Sequence, residues 1–453
     1  MGESRKKSHI MKDSIPFARP FIGREEEEAA LRVLRSGWLT TGAEALAFEK
    51  EFGEFLKTPG IRCLAVNSAT SGLHLALEAC GVTAGDLVLV PSYTFTATAE
   101  IVRYLGADPV FVDIAPGTFH MDPFALEQTL QKLTSSNSTG GKPKAVIPVH
   151  FGGLPCDMKA IMDIASRYNL KVIEDAAHSF PSVLGSGEWG MGNGEQRAKS
   201  KEQRTENIGC CSDNAGTPGL LTNFSDNNPY SLLPTPYSLL FAGTIGDAGV
   251  FSFYATKTIT TGEGGMVVCS DEETARRISV MRTHGIDRPV WNRYADVKAS
   301  WYYEVVEAGY KYNLPDLLAA VGRVQLSRAW DFFRMREKIA AVYDSAFSGD
   351  ERFLIPPTGP GDARHLYPLR LNLQRLKISR DEFIVKLKEA GVGVSVHFIP
   401  LHTMPYYKNR YGLAETDFPE TMESFKREIS LPIWPGMSDE QVGRVAEAVT
   451  GIA

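Results

Sequence analysis

Short, almost continuously apolar runs recur along this chain and alternate with stretches of helical periodicity. Such runs are typical of strands covered by helices on both faces, because a strand with one wet face alternates apolar and polar residues. Between two of the runs, Leu73, Ala76, Leu77 and Cys80 follow the i, i+3, i+4, i+7 spacing of an apolar helix face. We predict strands at residues 63–67, 87–91, 110–114, 145–150, 172–175, 250–253 and 265–269. The pattern therefore predicts an α/β fold with a mainly parallel seven-stranded sheet.

After about residue 330 the regular alternation gives way to a mixture of strands and helices. A long helical pattern covers residues 326–347, further helices are predicted at 380–390 and 439–450, and strands at 365–371 and 392–398. We therefore predict three parts, which are an N-terminal tail at residues 1–14, a large domain at 15–330 and a smaller α+β C-terminal domain at 331–453.

One segment of the large domain departs from this pattern. From Gly185 to about Leu240 the chain is rich in Gly, Ser, Asn, Gln and Pro and has few apolar positions. This composition predicts a partly disordered surface insertion at 186–240 that loops outward and leaves Lys257 in place. Residues 185–190 match G-x-G-x-x-G, but no periodic apolar face follows, as a dinucleotide-binding helix would need.

Composition and charge argue against several classes of function. The 453 residues are 43% hydrophobic and 23% charged, as in an ordinary globular protein with a large core. A formal net charge of −6 without a long basic block argues against nucleic-acid or anionic-membrane partners. The polar N-terminus and the absence of long apolar runs predict a cytoplasmic protein. Six cysteines without C-x-x-C spacing imply neither a metal site nor a disulfide framework.

Lys257 is the strongest candidate for a catalytic residue. It follows the predicted strand 250–253 and precedes a glycine-rich turn at 262–265, where the backbone can approach a bulky ligand. An amine that forms an imine with an aldehyde needs a rigid position and a partly desolvated pocket that lowers its pKa. Taken alone, however, a lysine is more often a solvated surface charge.

Two other strand ends carry candidate ligand-binding residues. Asp175 ends the strand 172–175, where α/β sheets bind ligands, and could keep a pyridine nitrogen protonated so that the ring acts as an electron sink. An N-cap or an exposed carboxylate is the common alternative. Residues 67–72 join a strand to the helix that begins near Leu73, so backbone N–H groups and two hydroxyls form a candidate phosphate site. Plain helix capping explains those residues equally well.

Several motifs accompany these residues. They are SGWLTTG at 36–42, VPSYTF at 90–95, EDAAH at 174–178, GEGG at 262–265, GYKYNL at 309–314 and VHFIPLH at 396–402. In this order they resemble the fold type I enzymes that use pyridoxal 5'-phosphate (PLP), and more narrowly the sugar aminotransferases of the DegT/DnrJ/EryC1/StrS family. The resemblance runs from about Ile15 to the C-terminus and is interrupted only by the insertion.

The resemblance implies a role for each matching position. Lys257 would form the imine with PLP and later move the proton between the substrate carbon and the cofactor, while Asp175 would hold the pyridine nitrogen. His397 would lie where the sugar nucleotide binds, with a buried structural histidine as the alternative. The remaining implied cofactor contacts are Thr70, Ser71 and Ser252 at the phosphate, Phe95 stacked on the pyridine ring, His178 at the ring hydroxyl, and Asn313 from the partner subunit of a homodimer.

The implied reaction is a ping-pong transamination. L-Glutamate would leave its amine on PLP, and a keto group of a nucleotide-linked deoxysugar would then take it. Lys257 argues against the dehydratase members of the family, which have histidine at that position. The variants at 282–286 and 311–313 look most like members that aminate C4 of a UDP-4-keto sugar in surface polysaccharide or lipopolysaccharide biosynthesis. An alternative function is a PLP-binding regulatory or assembly subunit without turnover, against which the intact Lys257, Asp175 and Asn313 weigh.

Overall fold

The computed structural model describes residues 14–135, 141–184, 240–287, 302–359 and 361–452. The strands are β1 (Arg62–Val66), β2 (Asp86–Pro91), β3 (Asp108–Val112), β4 (Lys142–Val146), β5 (Lys171–Asp175), β6 (Val183–Leu184), β7 (Leu240–Phe241), β8 (Ala248–Ser252), β9 (Gly265–Cys269), β10 (Phe353–Leu354), β11 (Tyr367–Leu371) and β12 (Glu428–Leu431).

The helices fall between these strands and at the two ends of the described chain. They are α1 (Arg24–Ser36), α2 (Ala43–Leu56), α3 (Ala69–Ala79), α4 (Ala97–Tyr104), α5 (Pro123–Ser135), α6 (Met158–Tyr168), α7 (Glu272–Met281), α8 (Asp316–Ser327), α9 (Ala329–Phe347), α10 (Arg380–Glu389), α11 (Pro405–Tyr411), α12 (Pro419–Arg427) and α13 (Asp439–Gly451). No helix in these ranges has both the length and the apolar character that crossing a bilayer requires.

Seven strands form the main sheet in the order β1-β9-β8-β5-β4-β2-β3. Strand β9 runs antiparallel to both of its neighbours, and the other pairs are parallel. The predicted mainly parallel seven-stranded sheet is confirmed. Among these strands, the bounds of β4 were predicted least accurately, since it is predicted at 145–150 and lies at Lys142–Val146. The buried apolar residues that suggested the strand continue beyond Val146, where the pairing of β4 with β5 ends.

Helices cover both faces of the main sheet, which explains why its strands read as continuous apolar runs. In β8, Val250 packs into the core that contains α3, whereas Phe251 packs into the core that contains Phe52 of α2. Both strand residues are fully buried. Since neighbouring strand residues point to opposite faces, each position has an apolar layer to enter.

A second, three-stranded antiparallel sheet has the order β10-β11-β12. It packs with α10, α13 and the end of α9 around a core that includes Tyr343, Tyr367 and Phe383. Ile15 also lies in this core, and its N–H donates to the carbonyl oxygen of Gly391 at 2.8 Å. The first described residues therefore pack against the C-terminal part of the chain.

Two expectations for the C-terminal part are wrong. Residues 392–398 form no strand, because their backbone pairs with two separate segments in turn, through single bridges from Val392 to Ile15 and from Ser395 to Ser430. The helical stretch 326–347 is divided, since Arg328 lies between α8 and α9 with φ −104° and ψ 4°, outside the α-helical region.

The insertion leaves and rejoins the fold at one two-stranded ladder. Strands β6 and β7 pair Val183 with Phe241 and Leu184 with Leu240. Apart from Leu240, the residues predicted to form the disordered insertion lie outside the described part of the chain. Residues that face each other in a ladder are about 5 Å apart, so this connection needs no long segment to close it.

Candidate active site

A cavity of about 480 Å³ lies at the carboxyl ends of β5 and β8 and at the N-terminus of α3. The carboxyl ends of parallel strands are where α/β sheets bind ligands. Of the predicted site residues, those that line the cavity are Thr70, Phe95, Asp175, His178, Ser252, Lys257 and His397. Ser71 and Asn313 are not among the lining residues. The structure therefore brings seven of the nine predicted positions to one place.

Lys257 lies in a tightly hydrogen-bonded turn between β8 and β9. Its own N–H donates to the carbonyl oxygen of Tyr254 at 2.9 Å. The carbonyl oxygen of Phe253 accepts from both the Thr260 hydroxyl and the Thr261 N–H, each at 3.0 Å. Burial lowers the pKa of the Lys257 amine to about 8, against the opposing effect of Asp175. The turn therefore holds an amine that loses its proton far more easily than an exposed lysine.

Asp175 is a buried carboxylate at the end of β5, with 6% of its surface exposed. Its Oδ2 accepts the Thr98 hydroxyl hydrogen at 2.9 Å, and its Oδ1 accepts the Ala177 N–H at 3.2 Å. Burial raises the pKa of Asp175, and these two hydrogen bonds oppose that rise. The predicted alternative of an exposed carboxylate does not fit this environment. Thr98 was not among the predicted site residues.

The start of α3 leaves two backbone donors unused. The N–H groups of Ser71 and Gly72 donate to the hydroxyl and the carbonyl oxygen of Ser68. In the described part of the chain, the N–H groups of Ala69 and Thr70 make no hydrogen bond, and both residues line the cavity. A helix N-terminus with free N–H groups favours an anion.

Of the three residues whose hydroxyls are predicted to bind the phosphate, two line the cavity and one does not. Thr70 and Ser252 line it, and Ser252 Oγ accepts the Tyr254 N–H at 3.3 Å, which leaves its hydroxyl hydrogen for a ligand. Ser71 Oγ instead accepts the Ser68 N–H at 3.2 Å, and its single hydrogen is shared between Asn67 Oδ1 at 2.7 Å and the Ser68 carbonyl oxygen at 2.8 Å. Capping thus explains Ser71, and its phosphate contact stays a prediction.

This donor set fits PLP. Two free N–H groups and the Ser252 hydroxyl suit a phosphate, and the cavity also holds a buried amine and a buried carboxylate. A Cβ at Gly265 would lie 2.8 Å from the Ala69 nitrogen and 2.9 Å from the Phe251 carbonyl oxygen. Only glycine at this position lets β9 pass so close to the phosphate-binding end of α3.

His178 has a defined hydrogen-bonding state. Its Nδ1 accepts the Gly152 N–H at 3.3 Å. Burial and the neighbouring Lys257 hold the pKa of His178 well below its usual value, so the ring is neutral and carries its hydrogen on Nε2. A neutral Nε2–H can donate to a ligand oxygen, which fits the role implied for His178 at the ring hydroxyl.

His365 was missed by the sequence analysis and lines the same cavity. Its ring centroid lies 4.5 Å from that of His178. Its carbonyl oxygen accepts a hydrogen bond from the buried Arg336 at 3.0 Å, and Arg336 also donates to the carbonyl oxygen of Ile433 at 2.6 Å. A single histidine at the start of a predicted strand carries no signal that distinguishes it from a core residue.

The last predicted residues differ in their surroundings. Phe95 is 56% exposed at the cavity and lies 5.8 Å from Phe398 between ring centroids, so one of its faces is available for stacking. His397 lines the cavity and its Nδ1 lies 2.8 Å from Ser430 Oγ. The side-chain amide of Asn313 donates to the Thr41 hydroxyl at 2.5 Å. A contact from Asn313 to the phosphate of a second subunit stays a prediction.

The sheet order, the lysine in the turn after β8, the carboxylate at the end of β5 and the anion site at α3 together define a PLP-dependent enzyme of fold type I. A family model described as the DegT/DnrJ/EryC1/StrS aminotransferase family matches residues 20–195 and 237–450. The chain therefore belongs to this family of aminotransferases. The match is interrupted within the predicted insertion, so residues 196–236 are extra to the family model.

Relatives extend over the whole chain. The spore coat polysaccharide biosynthesis protein SpsC of Bacillus subtilis strain 168 is 39% identical over 452 residues, which cover 99% of this chain and 98% of SpsC. A candidate sugar aminotransferase of Streptococcus pneumoniae, Spr1654, is similar in structure, with a TM-score of 0.77, 28% identity, and 97% and 98% of the two chains covered. Its PLP form gives a TM-score of 0.76.

A DegT/DnrJ/EryC1/StrS aminotransferase of Brucella abortus is also similar, with a TM-score of 0.73, 26% identity, and 94% and 95% of the two chains covered. The predictions of the family, the fold and the cofactor are confirmed by these similarities. The chain is a PLP-dependent sugar aminotransferase.

Proposed function

We propose that this enzyme transfers an amino group from L-glutamate to the keto group of a nucleotide-linked deoxysugar, and that it serves polysaccharide or lipopolysaccharide biosynthesis. The observation that carries the proposal is the placement of Lys257, Asp175 and the free N–H groups of α3 around one cavity. The name of the B. subtilis relative, a spore coat polysaccharide biosynthesis protein, supports a glycan as the destination of the product.

Lys257 carries the proton transfer in this proposal. PLP, when bound, supplies an electron sink that makes the hydrogen on the carbon bearing the amine acidic. The Lys257 amine would bind the cofactor and, once released by the substrate, would accept that hydrogen as a proton and deliver it to the cofactor carbon. A pKa of about 8 suits this exchange, since a group that titrates near the working pH can both accept and donate.

Asp175 keeps a proton on the pyridine nitrogen. Hydrogen bonds from Thr98 and Ala177 favour the ionised form of this carboxyl, against the effect of its burial, and hold it in one orientation. The cost of burying its charge is offset when it accepts a hydrogen bond from a protonated ring nitrogen. Asp175 therefore helps the ring to withdraw electrons throughout the reaction.

The remaining cavity residues position the cofactor. The N–H groups of Ala69 and Thr70 and the Ser252 hydroxyl bind the phosphate and fix one end of the molecule. Phe95 offers an exposed ring face for stacking, and offset aromatic pairs contribute roughly 0.5–1.5 kcal/mol beyond burial. His178 donates to the ring hydroxyl from Nε2.

The proposed substrate is a UDP-4-keto sugar aminated at C4. The support for this finer choice is the resemblance of residues 282–286 and 311–313 to family members with that activity. The test is a panel of keto sugars incubated with the enzyme and L-glutamate, with the products identified by mass spectrometry and NMR. We expect a 4-amino UDP-sugar. Turnover confined to a 3-keto sugar or to another nucleotide would contradict this choice while leaving sugar transamination intact.

We further propose a homodimer in which Asn313 of the partner subunit reaches the phosphate. Asn313 does not line the cavity of its own chain, while Phe95 and Tyr254 at the cavity are 56% and 47% exposed. The test mixes the variants Lys257→Ala and Asn313→Asp, each expected to be inactive alone. A mixed dimer then contains one intact site, so activity is expected to return. Stable mixed dimers without activity would contradict the shared site.

A further inference from the structure

Three residues behind one wall of the cavity form a continuous hydrogen-bonded chain. Glu428 and Ser430 lie in β12 and are fully buried, and His397 lines the cavity. The Ser430 hydroxyl is bonded to Oε1 of Glu428 and lies 2.8 Å from Nδ1 of His397. Oε2 of Glu428 accepts the main-chain N–H of His397 at 2.9 Å. The carboxyl group is thus tied to both the backbone and the ring of His397.

The protonation state of Glu428 decides the direction of these bonds, because the Ser430 hydroxyl has only one hydrogen to give. When Glu428 is ionised it can only accept, so Ser430 donates to Glu428 and accepts from Nδ1–H of His397. The other ring nitrogen, Nε2, is then a hydrogen-bond acceptor. When Glu428 is protonated it donates to Ser430, Ser430 donates to Nδ1, and Nε2 carries the hydrogen.

Both directions are accessible to a neutral His397 ring. Burial and the nearby Lys257 lower the pKa of His397 to about 4, so the ring has a single hydrogen near neutral pH. Burial raises the pKa of Glu428 to about 8, although its hydrogen bonds and Arg380 oppose this rise.

The groups around Glu428 come from four different segments. Arg380 on α10 faces its carbonyl oxygen, Arg370 lies opposite in β11, and Tyr93 and His397 complete the surroundings. Of these groups Arg380 favours the ionised carboxyl, because its positive charge stabilises the negative form.

We propose that Glu428 and Ser430 are positioning residues that make Nε2 of His397 a hydrogen-bond acceptor for a hydroxyl group of the sugar substrate. Within the described residues, no donor or acceptor is bonded to Nε2. The inference rests on the proposed function, because it assigns the hydroxyl to the sugar. The ionised state of Glu428 is the binding state, so the sugar binds more tightly as Glu428 loses its proton.

The first test reads the ring directly by ¹⁵N NMR of histidine-labelled holoenzyme at about pH 6.5 and about pH 9.5. In the parent enzyme the hydrogen of His397 is expected to move from Nε2 to Nδ1 as the pH rises. In Glu428→Gln the amide oxygen must accept the main-chain N–H of His397, so the amide NH₂ faces Ser430. Ser430 then donates to Nδ1, and the hydrogen of the His397 ring stays on Nε2 at both pH values. The same tautomer at both pH values in the parent enzyme would overturn the proposal.

The second test measures KM for the keto sugar. In the parent enzyme it is expected to fall as the pH rises through about 8, because one hydrogen bond to the sugar is gained. Glu428→Gln is expected to raise KM about 3- to 10-fold above pH 8, since a lost hydrogen bond corresponds to roughly that factor, and to abolish the pH dependence. Ser430→Ala breaks the chain and is expected to abolish the pH dependence as well, and it serves if Glu428→Gln does not fold.

The matched control is Glu423→Gln on α12, whose side chain is 52% exposed and pairs with Arg427. It is expected to leave both the tautomer of His397 and the KM for the keto sugar as in the parent enzyme. In Glu428→Gln and Ser430→Ala the KM for the keto sugar is expected to change more than the KM for L-glutamate, because the hydroxyl that binds to His397 is assigned to the sugar. A parent enzyme that does not react with glutamate would refute the proposed function alone, whereas unchanged KM and tautomer in Glu428→Gln would refute the positioning role alone.

Discussion

The hydroxyl of Thr98 donates its hydrogen to Oδ2 of Asp175 at 2.9 Å. Thr94 Oγ1 lies 2.8 Å from Thr98 Oγ1 and must be the donor of that pair, because the Thr98 hydrogen is already given to Asp175. Both threonines are buried. Two successive hydrogen bonds from α4 and the loop before it therefore fix the carboxylate that we assign to the ring nitrogen.

Removing the first of these bonds is expected to slow the reaction without abolishing it. Thr98→Val keeps the shape of the side chain but leaves Oδ2 without a donor, and a hydrogen bond to a charged group contributes about 1.5–3 kcal/mol. We expect the rate constant of the single-turnover reaction with L-glutamate to fall about 10- to 100-fold. Asp175→Asn is expected to lower the same rate constant by about 10²–10³-fold or more, because a preorganised charge is lost. Equal rates for Thr98→Val and the parent would contradict this role of Thr98.

The pKa of Lys257 predicts how the enzyme takes up its cofactor. Imine formation needs the unprotonated amine, and a pKa of about 8 leaves roughly one amine in ten unprotonated at pH 7, far more than in an exposed lysine. The rate of PLP uptake by cofactor-free enzyme is therefore expected to rise with pH and to level off above about pH 8. Stopped-flow absorbance measures this rate. A rate that keeps rising up to about pH 10 would show that the Lys257 amine has the pKa of an ordinary exposed lysine.

Glu174, the neighbour of Asp175, is expected to matter for stability. Its buried carboxylate accepts hydrogen bonds from His150 Nε2 at 2.9 Å and from three N–H groups at 2.6–2.8 Å, those of Gly243, Ile245 and Gly246. These bonds fix the chain where it returns from the insertion.

Glu174→Gln is expected to lower the free energy of unfolding by about 3–5 kcal/mol, because an NH₂ group then faces a donor in a buried site. Urea unfolding measures the change. The matched control is Glu28→Gln, whose pair with Arg24 is exposed, and it is expected to leave the urea midpoint unchanged. If Glu174→Gln changed the urea midpoint as little as Glu28→Gln, the hydrogen bonds of Glu174 would not stabilise the fold.

The insertion is expected to be dispensable for the first half-reaction. Since Leu184 and Leu240 already face each other in the β6–β7 ladder, residues 185–239 can be replaced by Asn-Gly, the pair that favours a two-residue hairpin turn. The shortened enzyme is expected to bind PLP and to react with L-glutamate within about threefold of the parent rate. Loss of this reaction in a folded, PLP-loaded shortened enzyme would show that the insertion contributes to the site.

The sequence predicts the sheet and the main chemistry of the site for one physical reason. Strands buried on both faces appear as continuous apolar runs, and the residues at their carboxyl ends, such as Asp175, converge on the ligand-binding edge. Hydroxyls at a helix start are harder to assign, because only the backbone geometry shows that Ser71 caps α3 while Thr70 faces the cavity.

Contacts between distant segments account for most of what the sequence analysis missed. His365 reaches the cavity from the segment before β11, and the partners of His397 lie in β12, more than thirty residues further along the chain. No local periodicity encodes such pairs. The predicted strand 392–398 failed for a similar reason, since its apolar residues pack against two separate segments rather than along one neighbouring strand.

Visible absorption measures whether Lys257 binds PLP and whether L-glutamate then transfers its amino group to the cofactor. The purified enzyme is expected to show the absorption band of PLP bound to a lysine, and L-glutamate is expected to bleach this band as the cofactor takes up the amine. Lys257→Ala is expected to show neither the band nor the change. A band that persists unchanged with L-glutamate would contradict transamination from this donor, and an equal band in Lys257→Ala would contradict the role of Lys257.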